Sequence, residues 1–566
     1  MNPTSKKEFS TKLQFLHRLQ EGVSFGDGGY YKPQHYSKMA SEFSKKYKTK
    51  NYPQHENVRA KQQGSAVPCG DPHPQEGLDP KSLLFSPENL EKDYWNIVEN
   101  RNEELNTEYG NDVDSDEFGS GFPLSERGRS VNGTIDIDKV DLPEPEYGTE
   151  EYYKETYWNL NNLPNAPESV LRHVKVGING INVPWMYYGS LFATFCWHNE
   201  DNYLYSVNYH HTGAPKQWYG VPGAEKAAEG LEKIFKNYLS LKMRDVPDLL
   251  HHITTMFSPR LLQHDDVPVY KLIQYPGEYV VTFPRAFHGG FSLGSNIGEA
   301  CNFATHDWIS FGADANERYR SFARPAVFSH DRLTFTMAYH LEEQQTYASC
   351  KLLLDELKRV VEEELELREK LTNSGVRDLA PQISLPPNRL DQLDEQSANY
   401  DDQRLCHACK HVCFFSGVAC ACSHTKISCL RHSHFMCRCP TSKRYLMIWS
   451  KKDELQETLK KVEDHCESLK TEAALQAEVD EAAANLAPLP PVAPGVEQDL
   501  ENHKDEEIDL EPYCIYKHLG WMNQRRRVDE GQTKSRELEA SRVAQETAEF
   551  SPPPVAESTA PSVPAQ

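Results

Sequence analysis

At 566 residues, with 84 acidic against 61 basic side chains and a formal net charge of −23, the chain is long enough for a large core plus accessory modules. That balance argues against strong direct DNA binding, which needs a basic footprint, while an acidic surface suits a basic peptide. The N-terminal stretch MNPTSKKEFSTKLQ lacks a signal peptide's apolar run, and no segment is apolar enough to span a bilayer, so a soluble intracellular protein without membrane contact is expected.

From the N-terminus, residues 1–80 read as a partly disordered connector, with a polar insertion of scattered Pro and Gly over 50–80. Residues 81–151 lead into a core expected over 152–320. There LFATFCWH and YLYSVNYHH alternate apolar and polar residues with aromatic and β-branched enrichment, as half-buried strands do. EYVVTF is a further strand, which Pro284 should end before a turn carrying His288, Gly289 and Gly290. A helical region and linker occupy 321–400: leucines and valines at three-to-four spacing predict a long helix over 340–371, packed between core and C-terminal module. A Cys/His-rich module spans 401–450 and another helical pattern spans 451–488, broken by APLPPVAPG. The tail, 489–566, reads as mostly disordered, with LEPYCIYKHLGWM as a candidate docking helix.

His198 and Glu200 are two apart in FCWHNE, so on a strand their side chains share a face. His288 would join them from a strand on the opposite side of a barrel. Two imidazoles and one carboxylate fill three neighbouring corners of an octahedron, the arrangement that non-haem Fe(II) oxygenases use to leave room for co-substrate and O₂. An isolated His-x-Glu is common by chance; the flanking strands and the glycines behind His288 set this one apart. Lys216, in GAPKQWY, would alone be a solvated turn lysine. Beside a metal it can pair the far charge of a dicarboxylate entering a partly dry pocket.

Eight of the fourteen cysteines fall between Cys406 and Cys439. The spacings C-x-x-C, C-x-C, C-x-x-H and C-x-C read as two tetrahedral sites with no vacant position, hence structural zinc. A disulfide framework is the competing reading, disfavoured in a reducing compartment.

The segment from about Tyr152 to Arg320 resembles a JmjC (Jumonji C) domain, the double-stranded β-helix (a cupin or jelly-roll fold) of 2-oxoglutarate-dependent oxygenases. A mainly β protein with α elements follows from that. The resemblance implies Fe(II) on His198, Glu200 and His288, with O₂ as second co-substrate. It assigns 2-oxoglutarate to Lys216 and Asn208, with Ser206 beside them, Phe195 stacking and Tyr109 assisting Lys216. Gly180, Tyr187, Ala300 and Asn302 match positions lining the methyl-lysine pocket of JmjC demethylases, where a quaternary ammonium is held by cation–π and C–H contacts. The cysteine-rich run resembles the zinc finger named for five cysteines, a histidine and two cysteines. By that resemblance Cys406, Cys409, Cys429 and His432 share one zinc, and Cys420, Cys422, Cys437 and Cys439 the other. Cys413 is left as a buried free thiol.

Domain and finger together resemble the lysine-specific demethylase 5 group over roughly Phe25 to Trp449, through SPENLEKDYWNIVE, EYGNDVDSDEFGSGFP, WNLNNLP, PDLLHHITTMFSP, VPVYKLIQ and FPRAFHGGF. GVSFGDGGYYKPQHYSKMASEFSKKY resembles the connector before the group's catalytic core. Members begin with a JmjN segment, an ARID module and a plant-homeodomain finger, none of which is found before Phe25. Ser292 stands where relatives carry asparagine, and His210 and Thr212 replace a leucine and a tryptophan; no triad ligand is lost. The resemblance implies a nuclear enzyme that demethylates di- or trimethylated lysine 4 of the histone H3 tail on nucleosomes, with chromatin-regulator complexes as further partners. N-methyl oxidation would give a hemiaminal that releases formaldehyde, as 2-oxoglutarate becomes succinate and CO₂. The alternatives are a catalytically silent chromatin scaffold and a JmjC enzyme with another lysine or a hydroxylation target.

Overall fold

The computed structural model describes residues 7–52, 86–124, 146–246, 249–378, 404–423 and 425–486. Nearly all of the 50–80 insertion lies outside them, as do the 381–402 linker and the tail with LEPYCIYKHLGWM. The described residues up to 475 form one unit, and the end of the last helix belongs to a second.

Strands β1 (Phe9–Phe15) and β2 (Gly26–Tyr31) precede helix α1 (Pro33–Asn51), where proline occupies the first turn at no cost in hydrogen bonds. Helix α2 (Pro87–Asn100) is capped by Ser86, whose hydroxyl accepts from the Asn89 N–H. The barrel continues with β3 (Asn106–Asp114), β4 (Trp185–Gly189), β5 (Thr194–His198), β6 (Tyr205–Gly213) and β7 (Lys216–Val221). After α3 (Glu225–Tyr238) come β8 (Tyr270–Gln274), β9 (Tyr279–Thr282), β10 (Phe287–Ser292) and β11 (Asn296–Phe303). One sheet runs β2-β1-β3-β4-β11-β6-β9 and the other β5-β10-β7-β8. Consecutive strands from β4 to β7, and again from β8 to β11, pass between the sheets, which is the winding of a double-stranded β-helix.

The expected connector is therefore part of the barrel sheet. β1 pairs with β3, setting Lys12 opposite Tyr109. Glu108 accepts from Thr11, Tyr31 and the Gly29 N–H, so a half-buried carboxylate ties the three strands together. Gln14 spans to the second sheet, its amide exchanging hydrogen bonds of 2.7 and 2.8 Å with the Thr194 backbone. The main core lies between that sheet, α2 and α3, where Phe192, Trp197, Tyr219 and Phe291 pack with Tyr94, Leu231 and Phe235.

Helices α4 (Ile309–Ser321), α5 (His330–Ala338) and α6 (Tyr347–Asn373) follow the barrel. The helix expected from 340 starts instead at Tyr347, because Thr346 takes the cap position and accepts from the Ser349 N–H. Strand β12 (Arg377–Asp378) and the finger's β13 (Ser416–Cys420) and β14 (Arg444–Ile448) form a small sheet, followed by α7 (Lys452–Leu486). Phe415 of the finger enters the helical core, 4.6 Å from the Phe335 ring, beside Leu455 and Val462 of α7. Among the described residues, no helix is long and apolar enough to cross a membrane.

Candidate active site

β5 and β10 are neighbours, and His198 is the register partner of His288. The expected turn at His288 is strand, and the two histidines come from adjacent strands rather than from opposite sides of the barrel. Glu200 lies just past the end of β5, in extended conformation (φ −70°, ψ 153°). The three donor groups nonetheless converge: Glu200 Oε1 is 3.2 Å from His288 Nε2 and 4.0 Å from His198 Nε2.

The remaining atoms are oriented from behind. His198 Nδ1 hydrogen-bonds the Cys196 carbonyl at 2.7 Å, and His288 Nδ1 the Ala286 carbonyl at 3.2 Å. A donor role at Nδ1 leaves the Nε2 lone pair facing the cluster, the tautomer a metal requires. Burial, with the other imidazole behind it, pushes His198 down to about 4, so it is neutral at pH 7. Burial opposes ionisation of Glu200, but the hydrogen bond to His288, the attraction of both imidazoles and the Asn302 amide together outweigh it and hold the carboxyl at about 2. Asn302 Nδ2 donates to Glu200 Oε2 and to the Tyr205 carbonyl, each at 3.0 Å. Two imidazoles and a fixed carboxylate suit a divalent first-row metal on one face.

Lys216 opens β7 and is 2 % exposed, yet it has no hydrogen bond or ion pair among the described residues. Its ammonium lies between two rings, 5.7 Å from the Tyr187 centroid and 5.9 Å from that of Phe195. Burial pushes it down to about 8. Beside it, Asn208 Oδ1 is buried without a hydrogen-bond partner. Gly298 keeps the space between them open, since a Cβ there would stand 3.1 Å from Lys216 Nζ and 3.5 Å from Asn208 Oδ1. An unpaired buried cation beside an open space fits a carboxylate, so this pocket is chemically suited to the dicarboxylate its sequence implies.

The other expected residues divide. Tyr109 is buried 6.3 Å from the Tyr187 ring, on the side of that pocket. Ser206 is engaged by Thr282, Oγ to Oγ1 at 2.5 Å. Tyr187, expected against substrate, contacts Lys216, and Asn302, also expected there, is a clamp on Glu200. Ala300 lies in β11 between Trp185 and Asn208. Gly180 adopts φ +83°, where a Cβ would meet the Trp185 ring at 2.8 Å. Sequence reasoning missed Asp112, a non-glycine at φ +57° in the β3 bulge. Its carboxylate is open to solvent and accepts from Asn111 at 2.6 Å. Only the left-handed backbone marks it, and that is invisible in sequence.

In the finger, Cys406, Cys409, Cys429 and His432 bring their donor atoms within 4.8 Å of one another, as do Cys420, Cys422, Cys437 and Cys439. Cys409 Sγ to Cys429 Sγ is 3.8 Å, close to the edge of a tetrahedron with Zn–S bonds of about 2.3 Å. Hydrogen bonding to Cys406 and Cys409 pushes the Cys429 thiol up, as expected where thiolates crowd without a cation. Cys413 is a buried free thiol. A further group, His340, Glu342 and Glu343, also brings three donors together.

A double-stranded β-helix with this cluster, joined to a two-site cysteine finger, defines a JmjC-domain protein. Comparison with family models agrees: residues 185–303 match the JmjC domain (hydroxylase), and 406–458 the C5HC2 zinc finger. Residues 307–362 match the C-terminal helical domain of lysine-specific demethylase 5. The chain is thus a relative of the lysine-specific demethylase 5 proteins. It is 40 % identical to lysine-specific demethylase 5B of Gallus gallus over 353 residues, 62 % of this chain and 21 % of that protein. It is 38 % identical to lysine-specific demethylase 5D of Homo sapiens over 383 residues, 68 % of this chain and 23 % of that one. The chain therefore spans less than a quarter of the length of these relatives.

Proposed function

We propose that the chain is an Fe(II)- and 2-oxoglutarate-dependent demethylase of methyl-lysine in the histone H3 tail, with lysine 4 in its di- or trimethyl form as first target, acting in the nucleus. The observation that carries this reading is the pairing of two facing Nε2 atoms and one carboxylate with a buried lysine that lacks an anion. Similarity to named lysine demethylases and the C5HC2 finger supports the substrate class.

Bound iron, 2-oxoglutarate and O₂ supply the oxidising chemistry, which converts an N-methyl C–H to C–OH as the keto acid becomes succinate and CO₂. The chain's own groups do the positioning. His198, Glu200 and His288 hold one face of the metal, and Asn302 stops Glu200 from rotating away. Lys216 takes the distal carboxylate of 2-oxoglutarate, while Phe195 and Tyr187 wall off water. Low dielectric strengthens each of these contacts. A carbinolamine formed on the substrate nitrogen needs no enzyme group to lose formaldehyde.

The test is succinate release and mass spectrometry on a panel of methylated histone H3 peptides. The expected result is formaldehyde and loss of methyl mass from the lysine 4 peptide, abolished in His198→Ala. Methyl loss confined to another peptide would move the assignment to that lysine, and a gain of oxygen would mean a hydroxylase. Failure to bind metal and 2-oxoglutarate would leave the scaffold reading.

A further inference from the structure

The least expected group near the co-substrate pocket is His210. Ser206, Asn208 and His210 alternate along β6 and share the face turned into the barrel, while Val207 and Tyr209 join an apolar cluster with Leu160 and Cys301 on the other. His210 is 0 % exposed, and neither ring nitrogen makes a hydrogen bond of good geometry, although the Ala214 backbone lies beside it. Across the ladder its register partner is Gly298, the residue whose missing Cβ keeps open the space between Lys216 Nζ and Asn208 Oδ1. Burial, with the Lys216 charge behind it, pushes the imidazole down to about 3. The ring is therefore neutral, with one N–H donor and one lone pair.

A buried imidazole whose nitrogens make no hydrogen bond of good geometry is costly, and proteins keep such groups where a ligand or an ordered water completes them. The leucine expected at this position would carry no such cost. We propose that His210 is a co-substrate-binding residue, whose N–H donates, beside Lys216, to the distal carboxylate of 2-oxoglutarate. The inference rests on the co-substrate reading above. It makes His210 a determinant of co-substrate specificity: a keto acid ending in a methyl group gains nothing from it.

The experiment is calorimetric titration of the full chain, loaded with Mn(II), with 2-oxoglutarate and with 2-oxobutyrate, which lacks the distal carboxylate. His210→Leu is expected to weaken 2-oxoglutarate roughly tenfold, as loss of a hydrogen bond to a charged group does, and to leave 2-oxobutyrate unchanged. His210→Gln keeps an N–H donor and should recover most of that loss. Melting temperature should hold or rise in His210→Leu, because an unpaired polar group leaves the interior. Equal affinity of the unaltered chain and His210→Leu for 2-oxoglutarate would overturn the inference, as would equal weakening of both keto acids. If the unaltered chain binds Mn(II) but not 2-oxoglutarate, the co-substrate reading fails first and the role of His210 fails with it.

Discussion

His198 and His288 face each other across β5 and β10 as register partners, with ring centroids 4.2 Å apart. Two of the three metal donors are thus placed by the pleat of one sheet, whose geometry is set by backbone hydrogen bonds. The third, Glu200, has already left the strand and depends on a side chain for its orientation. The ladder irregularity after His288 and the two glycines that follow let β10 approach β5: a Cβ on Gly289 would stand 3.1 Å from the Phe195 carbonyl.

Asn302→Ala should therefore damage the metal site without touching a ligand. It leaves Glu200 Oε2 and the Tyr205 carbonyl without their shared donor. We expect metal affinity to fall about 10- to 100-fold and stability to fall by about 1–3 kcal/mol. Mn(II) binding followed by electron paramagnetic resonance, alongside urea denaturation, checks both. A variant that binds metal normally would show that Glu200 needs no clamp.

Lys216 sets stability against function. Its ordinary value is 10.5 and burial lowers it to about 8 in the folded chain, so the folded state binds fewer protons than the unfolded one across that window. Stability without ligand should then rise with pH from about 8 to 10.5. Affinity for 2-oxoglutarate should move the other way, falling above about pH 8 as the free ammonium is lost. Lys216→Met removes the pH-dependent stability component and raises the melting temperature, while 2-oxoglutarate affinity falls at least 100-fold. Melting curves at pH 7, 8, 9 and 10 for both proteins isolate the lysine from other titrating groups; parallel curves would contradict this account.

Whatever depends on local spacing was legible in the sequence. His198 and Glu200 two apart, and cysteines in C-x-x-C and C-x-C pairs, are fixed by the chain itself. Which strand faces which was not: nothing near His288 says that its partner is His198, so the histidine reads as a turn residue. β1 alternates buried and exposed residues along FSTKLQF, but Ser, Thr, Lys and Gln conceal that rhythm, and β2 is GDGGYY, with no strand signature at all. Both are strands because β3 offers an edge and Glu108 a shared acceptor. Asn302 was drawn toward the substrate by the family pattern, yet its hydrogen bonds go to Glu200 and to the backbone of β6, a connection made only in three dimensions.

Removing metal from the finger should be felt beyond it. Zinc contributes on the order of 10 kcal/mol to folding a segment of this kind. Two zinc ions per chain are expected by elemental analysis, and Cys429→Ser or chelation should unfold 404–450. Because Phe415 packs on Phe335 inside the helical core, the first melting transition of the whole chain should fall as well. Hydrogen exchange in α5 and α6 reports it: protection there unchanged after chelation would mean that the finger is energetically separate.

Arg368 is the polar counterpart of Phe415 in joining helix to finger. Its guanidinium donates to Glu364 at 2.7 Å, to the Ser450 carbonyl at 2.9 Å and to the Phe415 carbonyl at 3.3 Å, and Glu364 also accepts from Ser416. Burial pushes the Glu364 carboxyl up, with Arg368 opposing it. Arg368→Met leaves that carboxylate with the Ser416 hydroxyl alone and the Ser450 carbonyl without its donor, while the Phe415 carbonyl keeps the Trp449 and Ser450 N–H groups, at an expected loss of about 3 kcal/mol. The double variant Arg368→Met, Glu364→Leu should lose less than Arg368→Met alone, since no isolated charge remains, though the Ser450 carbonyl still lacks its donor. Denaturant melts of the three variants decide it. A double variant as unstable as the sum of its single changes would mean that the pair is not coupled and that the finger is held by its apolar contacts alone.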